Sequence, residues 1–298
     1  MISFWAQNPL DTIPMKVWTT NKVRKLGEKL RFTSETWKLL NPTVSWELQD
    51  DNDATLFFGS FFGHEMMDLL RRFESDGAPG VMKADIWRYA ILFAHGGFYS
   101  DIDAEALKPI DRWFPPIAMK ENKDSDPYSF IKDQDVDFKY SELKLNDCSI
   151  VIGLENDVHM CQWAIAGTKG HPILKQAIEL IIERGKNGIN KSVKDFVHYH
   201  TGPGVWSAAV AKSLGLDENK QAIEILKMVW TNKEIGKKAR DMRLCLMSQG
   251  FFNGQNVKNH YASQMKIDDG TYTSWLKESE MARKKFESGT TLEQKPNT

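Results

Sequence analysis

An apolar-striped helix, a double glycine and a short strand ending in two carboxylates follow one another in residues 80–103, GVMKADIWRYAILFAHGGFYSDID, and few folds accommodate that succession. Ala84, Trp87, Ile91 and Ala94 recur at helical spacing and share one face. Gly96-Gly97 stands where helices take a left-handed cap. FYSDID then reads as a strand running into a loop, with Asp101 and Asp103 at its end. A helix that feeds straight back into a strand is the repeating unit of an α/β layer.

The rest of the chain supports that class. IPMKVWTT at 13–20 reads as a first strand, and LNPTVSWELQDD at 40–51 as a turn at Asn41-Pro42 followed by a second strand, with room for a helix between them. Met66, Leu69, Leu70 and Phe73 predict an amphipathic helix over 61–75. SIVIGL at 149–154 suits a buried strand. HPILKQAIELIIERG at 171–185 predicts a helix, with Pro172 in its first turn and Gly185 as its stop. Thr201-Gly202-Pro203-Gly204 marks a tight loop before a further helix, VWSAAVAKSLG. Residues 119–147 are rich in acids and poor in large aliphatics, as in an exposed insertion, and from about Lys277 the tail has little to bury. The organisation expected is a lead-in over 1–12, one main domain over 13–275 interrupted near 119–147, and a charged tail over 276–298.

Composition removes several functions. Among 298 residues, 39 Lys and Arg face 40 Asp and Glu for a formal net charge of -1, so the basic footprint of a nucleic-acid binder is missing. No stretch approaches the roughly 20 apolar residues of a membrane span, and the opening MISFWAQNPLDTIP lacks the form of a signal peptide. Cys148, Cys161 and Cys245 are odd in number and show no paired zinc spacing, which reads as core or idle thiols and not as a disulfide scaffold. The sequon Asn190-Lys191-Ser192 would matter only in a secretory lumen.

Asp101 and Asp103 carry the chemistry. On a continuing strand, residues two apart point to one face, so both carboxylates could reach one hard divalent cation. Such a cation can bind the two phosphates of a nucleotide and neutralise charge on a leaving diphosphate. Asp-x-Asp triplets also arise by chance, and Asp50, Asp51 and Asp53 form a decoy. Asp85 and Arg88 lie one helical turn apart on the preceding helix, where they suit a sugar hydroxyl and a phosphate, or else form a surface ion pair. Glu155 and Asp157 follow the SIVIGL strand, whose end is a common place for an α/β site.

KADIWRYAILFAHGGFYSDIDAEALKPI resembles the A-D-x-x-R-Y…GG-x-Y-x-D-x-D signature of glycosyltransferase family 32, and IPMKVWTT, VIGLEND, CQWAIAGTKGHPIL and HTGPGVWS are similar to further family segments between about 13 and 275. The resemblance implies a GT-A fold, a Rossmann-like nucleotide-sugar-binding sheet flanked by helices. It implies transfer of mannose from GDP-mannose to an α-mannoside of N-glycan type, with an α-1,6 linkage and retention of configuration, Mn²⁺ (or Mg²⁺) dependence and work in the Golgi lumen. Carried over, Asp101, Asp103 and His260 would hold the metal. Asp85, Arg88, Tyr99, Ser100 and Asp101 would face the nucleotide sugar together with Gly202, Pro203 and Gly204 of the T-G-P-G loop. Glu155 or Asp157 would serve the acceptor hydroxyl or the sugar ring; Ser263 and Trp275 match family positions near His260. Trp163 reads as core or sugar platform and His171 as a helix cap.

Within the family, a UDP-sugar donor or an inositol phosphorylceramide acceptor are the alternatives. A haloacid-dehalogenase-type phosphatase also uses D-x-D, but Gly97, Phe98, Tyr99 and Ser100 are not its unbroken hydrophobic strand, and Ala104-Glu105 follow Asp103. A non-catalytic carbohydrate-binding protein on the same fold would have no use for Asp85, Arg88, Asp101 and Asp103 together.

Overall fold

The computed structural model describes residues 12–114, 143–252 and 254–259. The acidic insertion therefore lies largely outside the described residues, and His260, Ser263, Trp275 and the tail wholly so. Strand β1 (Lys16–Thr20) is followed by α1 (Glu28–Leu40), β2 (Ser45–Gln49), α2 (Asp51–Phe61), α3 (Gly63–Ser75), α4 (Gly80–His95), β3 (Gly97–Ser100) and β4 (Ala104–Ala106). Beyond the insertion come β5 (Ile150–Gly153), β6 (Ala164–Gly167), α5 (Pro172–Gly185), α6 (Phe196–His200), α7 (Pro203–Ser213), α8 (Ala222–Thr231), α9 (Lys233–Asp241), β7 (Leu244–Met247) and β8 (Val257–Asn259).

Six strands form one mixed sheet in the order β2-β1-β3-β6-β5-β7, and β4 pairs with β8 in a small second sheet. All neighbours in the large sheet run parallel except β6, which is antiparallel to both β3 and β5. The ends of β1, β3, β5 and β7 thus share one edge with the start of β6. Helices cover both faces, the α/β arrangement expected of a GT-A-like layer.

Strand periodicity divides the core in two. Trp18, Tyr99, Ile150, Ile152 and Ile165 join the cluster built with α4, α5 and α7. Their neighbours Val17, Phe98, Val151, Ala164 and Ala166 join the cluster that includes Trp37 of α1, Trp113 and Phe252. That alternation is the strand period of two with both faces buried. Helix α4 is apolar nearly all round and is buried from Asp85 to Ala94, as a helix lying between sheet and outer helices must be. Gly96 and Gly97 let it turn directly into β3: their φ values are 69° and 110°, and a Cβ on Gly97 would sit 2.6 Å from the Lys16 carbonyl oxygen.

Two expectations from the sequence need correction. Cys148 and Cys245 are not idle: they form a disulfide with a 2.01 Å S–S bond, joining the residue two before β5 to β7, while Cys161 is a buried free thiol. The acids Asp50, Asp51 and Asp53 start a helix that the periodicity did not reveal. The Asp50 carboxylate accepts from the Asn52 and Asp53 amides and the Asp53 carboxylate from the Asp50 amide, a capping box at the N-terminus of α2.

Candidate active site

The D-x-D motif does not continue the strand. β3 ends at Ser100, and the Ala104 amide donates to the Asp101 carbonyl at 3.0 Å, so Asp101 to Ala104 form a β-turn with Ile102 and Asp103 at its centre. Both carboxylates are thus carried by a turn and not by strand alternation. Parity still decides what Asp101 meets. Tyr99 faces α4, Asp101 lies two residues on, and the Tyr99 hydroxyl donates to Asp101 Oδ1 at 2.6 Å.

Arg88 completes that contact from the helix. Its Nη2 donates to Asp101 Oδ1 at 3.1 Å and its Nη1 to Asp85 Oδ1, with the guanidinium 5.0 Å from the centre of the Tyr99 ring. Asp85 and Arg88 are no surface pair: their side chains are 1% and 4% exposed. Asp85 also accepts from Gln162 Nε2 at 3.3 Å and from the Thr201 hydroxyl at 2.9 Å, and the Tyr89 hydroxyl donates to Gln162 Oε1 at 2.6 Å. The network therefore ties α4, the end of β3, the approach to β6 and the T-G-P-G loop into one unit. Gln162 and Thr201 both lie in segments similar to family ones, CQWAIAGTKGHPIL and the T-G-P-G loop, but nothing in the sequence pairs either side chain with Asp85.

Burial and charge set the electrostatics. Burial raises the Asp85 pKa to about 6, held back by Arg88 and by the Thr201 hydrogen bond and pushed further by Asp101. For Arg88 burial works against the cation, but Tyr99, Asp101 and Asp85 outweigh it and raise its pKa. Glu155, half-buried just past β5, has its pKa raised to about 7 by burial and by Asp101, with Arg88 opposing. Glu155 thus lies close enough to Asp101 and Arg88 for its carboxylate to feel both charges. Asp157 is exposed, and its carbonyl accepts from the Ile223 amide at the start of α8.

The other expected residues fall as follows. Ser100 is buried, on the α1 side of the sheet, and its hydroxyl donates to the Asp101 carbonyl at 3.2 Å. Gly202 is the N-cap of α7 and Pro203 its first residue. A Cβ on Gly204 would sit 2.7 Å from the His198 carbonyl oxygen, so the missing side chain lets α7 pack onto α6. Trp163 is core at 4% exposure, and its carbonyl accepts from the Asp101 amide at 2.9 Å. His171 is a cap, its Nδ1 accepting from the Ile173 amide.

A hard divalent cation suits this chemistry. Asp101 Oδ2 takes no hydrogen bond among the described residues, and Asp103, 6% exposed, offers a second carboxylate in the same turn. The described residues contain no group of three or more His, Cys, Asp or Glu able to hold a metal. Two carboxylates fit a cation that keeps its remaining positions for substrate phosphates.

Residues 28–122, which include this turn, match the family described as "Glycosyltransferase sugar-binding region containing DXD motif". The class that match supports is glycosyltransferase. More particularly, the chain is 28% identical over 235 residues to the initiation-specific alpha-1,6-mannosyltransferase of Schizosaccharomyces pombe, covering 71% of this chain and 51% of the relative. It is 30% identical over 192 residues to the protein of the same name from Saccharomyces cerevisiae, covering 56% and 38%. The chain spans about half the length of the first of these curated relatives. These matches bear out the resemblance to family 32. A solved structure, the PaToxG glycosyltransferase, aligns with 77% of this chain and 84% of its own at 14% identity and a TM-score of 0.44.

Proposed function

We propose that this protein transfers mannose from GDP-mannose to a hydroxyl of an α-mannoside acceptor, forming an α-1,6 bond with retention of configuration. The observation that carries the reading is the Arg88 guanidinium bridging Asp85 and Asp101 at the root of the D-x-D turn. A buried guanidinium held this way fixes one carboxylate of the pair without consuming its second oxygen, and leaves the site poised for a cation and a diphosphate. The names of the relatives support mannose as the sugar and α-1,6 as the linkage.

Asp101 and Asp103 would hold Mn²⁺, or Mg²⁺ in its place, and the family resemblance assigns His260, outside the described residues, as a further ligand. When bound, the cation supplies Lewis-acid neutralisation of the charge on the leaving diphosphate. Tyr99 and Arg88 keep Asp101 aimed. The acceptor oxygen bonds to the anomeric carbon on the face from which the diphosphate departs, and the hydroxyl proton passes to the leaving phosphate oxygen. Glu155 orients the acceptor hydroxyl, while Asp157 serves the entry to α8. Thr201 and the Gly202-Pro203-Gly204 entry to α7, tied to Asp85, bring a helix N-terminus to the donor side. The Cys148–Cys245 bond supports an oxidising compartment such as the Golgi lumen. No helix among the described residues is long and apolar enough to cross a membrane.

The test is release of nucleoside diphosphate from GDP-mannose, UDP-galactose, UDP-glucose and UDP-GlcNAc, with Mn²⁺ or EDTA and with or without mannose oligosaccharides. Turnover of GDP-mannose alone, stimulated by the mannoside, is expected. Turnover of a UDP-sugar instead would overturn the donor assignment.

A further inference from the structure

Helix α1 carries two threonines, Thr33 and Thr36, on or beside its buried stripe of Leu30, Thr33, Ser34 and Trp37. Threonine is a mediocre helix former, and a fully buried position would hold a larger aliphatic at lower cost. The structure shows what the polar groups bind. The Thr33 hydroxyl, 0% exposed, lies 2.5 Å from the Ile102 carbonyl oxygen and 2.8 Å from that of Leu30, one turn back. It has a single proton, and the shorter contact is the one across the fold. The Trp37 indole N–H donates to the Ala104 carbonyl at 2.8 Å, and the Ala106 amide donates to the Thr36 hydroxyl at 3.0 Å.

The Ile102 carbonyl belongs to the peptide between the two central residues of the Asp101–Ala104 turn. That peptide is the one whose orientation separates the common turn types, since type I and type II differ chiefly by turning it over. Its direction fixes the backbone of Asp103, and so where the Asp103 carboxylate points. Asp101 is already fixed by its amide on the Trp163 carbonyl and its carboxylate on Arg88 and Tyr99. Ile102 is 6% exposed, so water is a poor substitute donor for its carbonyl.

We propose that Thr33 is a positioning residue that locks the central peptide of the D-x-D turn and thereby holds Asp103 in the orientation that binds the divalent cation. The lock rests on the metal-binding reading of Asp101 and Asp103 and goes beyond it by assigning the aim of Asp103 to a side chain 70 positions earlier on another element. Trp37 secures the strand after the turn, at Ala104, and has no hold on the central peptide.

The experiment measures Mn²⁺ affinity in the presence of GDP, by the electron paramagnetic resonance signal of free Mn²⁺, beside the melting temperature of each variant. Thr33→Val removes the hydroxyl at nearly constant volume, Thr33→Ser keeps it, and Thr33→Ala is a second hydroxyl-free variant should valine fold poorly. Trp37→Phe removes the neighbouring indole bond. The lock predicts Mn²⁺ binding weaker by about tenfold or more in the valine and alanine variants, the cost usual for groups that orient a metal ligand, and within about twofold of wild type in the serine variant. It predicts that Trp37→Phe lowers the melting temperature without that loss of affinity. Wild-type affinity in folded Thr33→Val or Thr33→Ala, or an equal loss in Thr33→Ser, would overturn the lock alone. Failure of the wild-type protein to bind Mn²⁺ with GDP would overturn the metal reading and the lock with it.

Discussion

Arg88 Nη2 lies 3.1 Å from Asp101 Oδ1 while Nη1 of the same group binds Asp85, so one buried guanidinium ties the middle of α4 to the end of β3. Both ends of the tie come from the succession of helix, double glycine and strand. Because Gly96 and Gly97 let the chain reverse without a loop, a residue on α4 and one just past β3 lie side by side although they are 13 positions apart.

Removing one partner leaves a buried charge short of its counterion. Asp85→Ala is expected to lower the unfolding free energy by about 3 kcal/mol or more, the lower end for a broken buried pair. Asp85→Asn, whose amide oxygen can still accept from Arg88 while its NH2 replaces the oxygen facing Thr201, is expected to lose less. Denaturant midpoints of the three proteins check the order, and an alanine variant as stable as the wild type would contradict the buried pair.

Glu155 and Asp157 are told apart by where they sit. Glu155→Gln is expected to lower kcat by about 10²-fold, the loss that goes with a misplaced reacting group, while Asp157→Asn stays within about threefold. Steady-state turnover of the wild type and the two variants on the same donor and acceptor decides. The reverse ranking would move the acceptor role to Asp157.

The Cys148–Cys245 bond closes a loop between residues 97 apart, for which chain-entropy reasoning gives roughly 4.7 kcal/mol at 25 °C. Dithiothreitol, or the double change Cys148→Ala with Cys245→Ala, is therefore expected to lower the melting temperature by several degrees. Cys161→Ala is expected to leave sensitivity to dithiothreitol intact. A melting temperature indifferent to reductant would refute the staple.

His171 gives the fold a pH dependence with a definite sign. Burial lowers its pKa from 6.5 to about 4, although its contact with the Met242 carbonyl opposes that. Between those two values the unfolded chain binds a proton that the folded chain refuses. The stability this histidine contributes is therefore full above about pH 6.5 and is lost as pH falls to about 4, by on the order of 3 kcal/mol. His171→Asn, a non-titrating cap, is expected to flatten the fall in stability between pH 7 and 4. An unchanged slope would remove His171 as its source.

Elements whose local pattern matches their surroundings were legible in the sequence. Helices α4, α5 and α7 carry apolar periodicity with glycine or proline punctuation, and β1, β3 and β5 are short apolar runs at turns. Helix α2 was hidden because its start is a run of acids and Gly59 interrupts its apolar face, whereas the capping role of Asp50 and Asp53 needs the helix to exist first. The antiparallel β6, Ala164–Gly167, is too short and too rich in small residues to show a period. In the site, Asp85, Arg88 and Asp101 were visible as a motif. What the sequence could not show was long-range: the Gln162 amide on Asp85, the Thr201 hydroxyl 116 positions from it, and the turn that replaces a strand at Asp103. Each depends on partners that only the sheet order brings together.

Metal-dependent diphosphate binding at the D-x-D turn is tested by calorimetric titration of GDP into the protein with Mn²⁺ and with EDTA, for the wild type and Asp103→Ala. GDP binding is expected to require Mn²⁺ and to be lost in Asp103→Ala while the melting temperature of the variant stays near that of the wild type. GDP binding of equal strength in EDTA, or undiminished in Asp103→Ala, would contradict the claim that the D-x-D turn holds a diphosphate through a divalent cation.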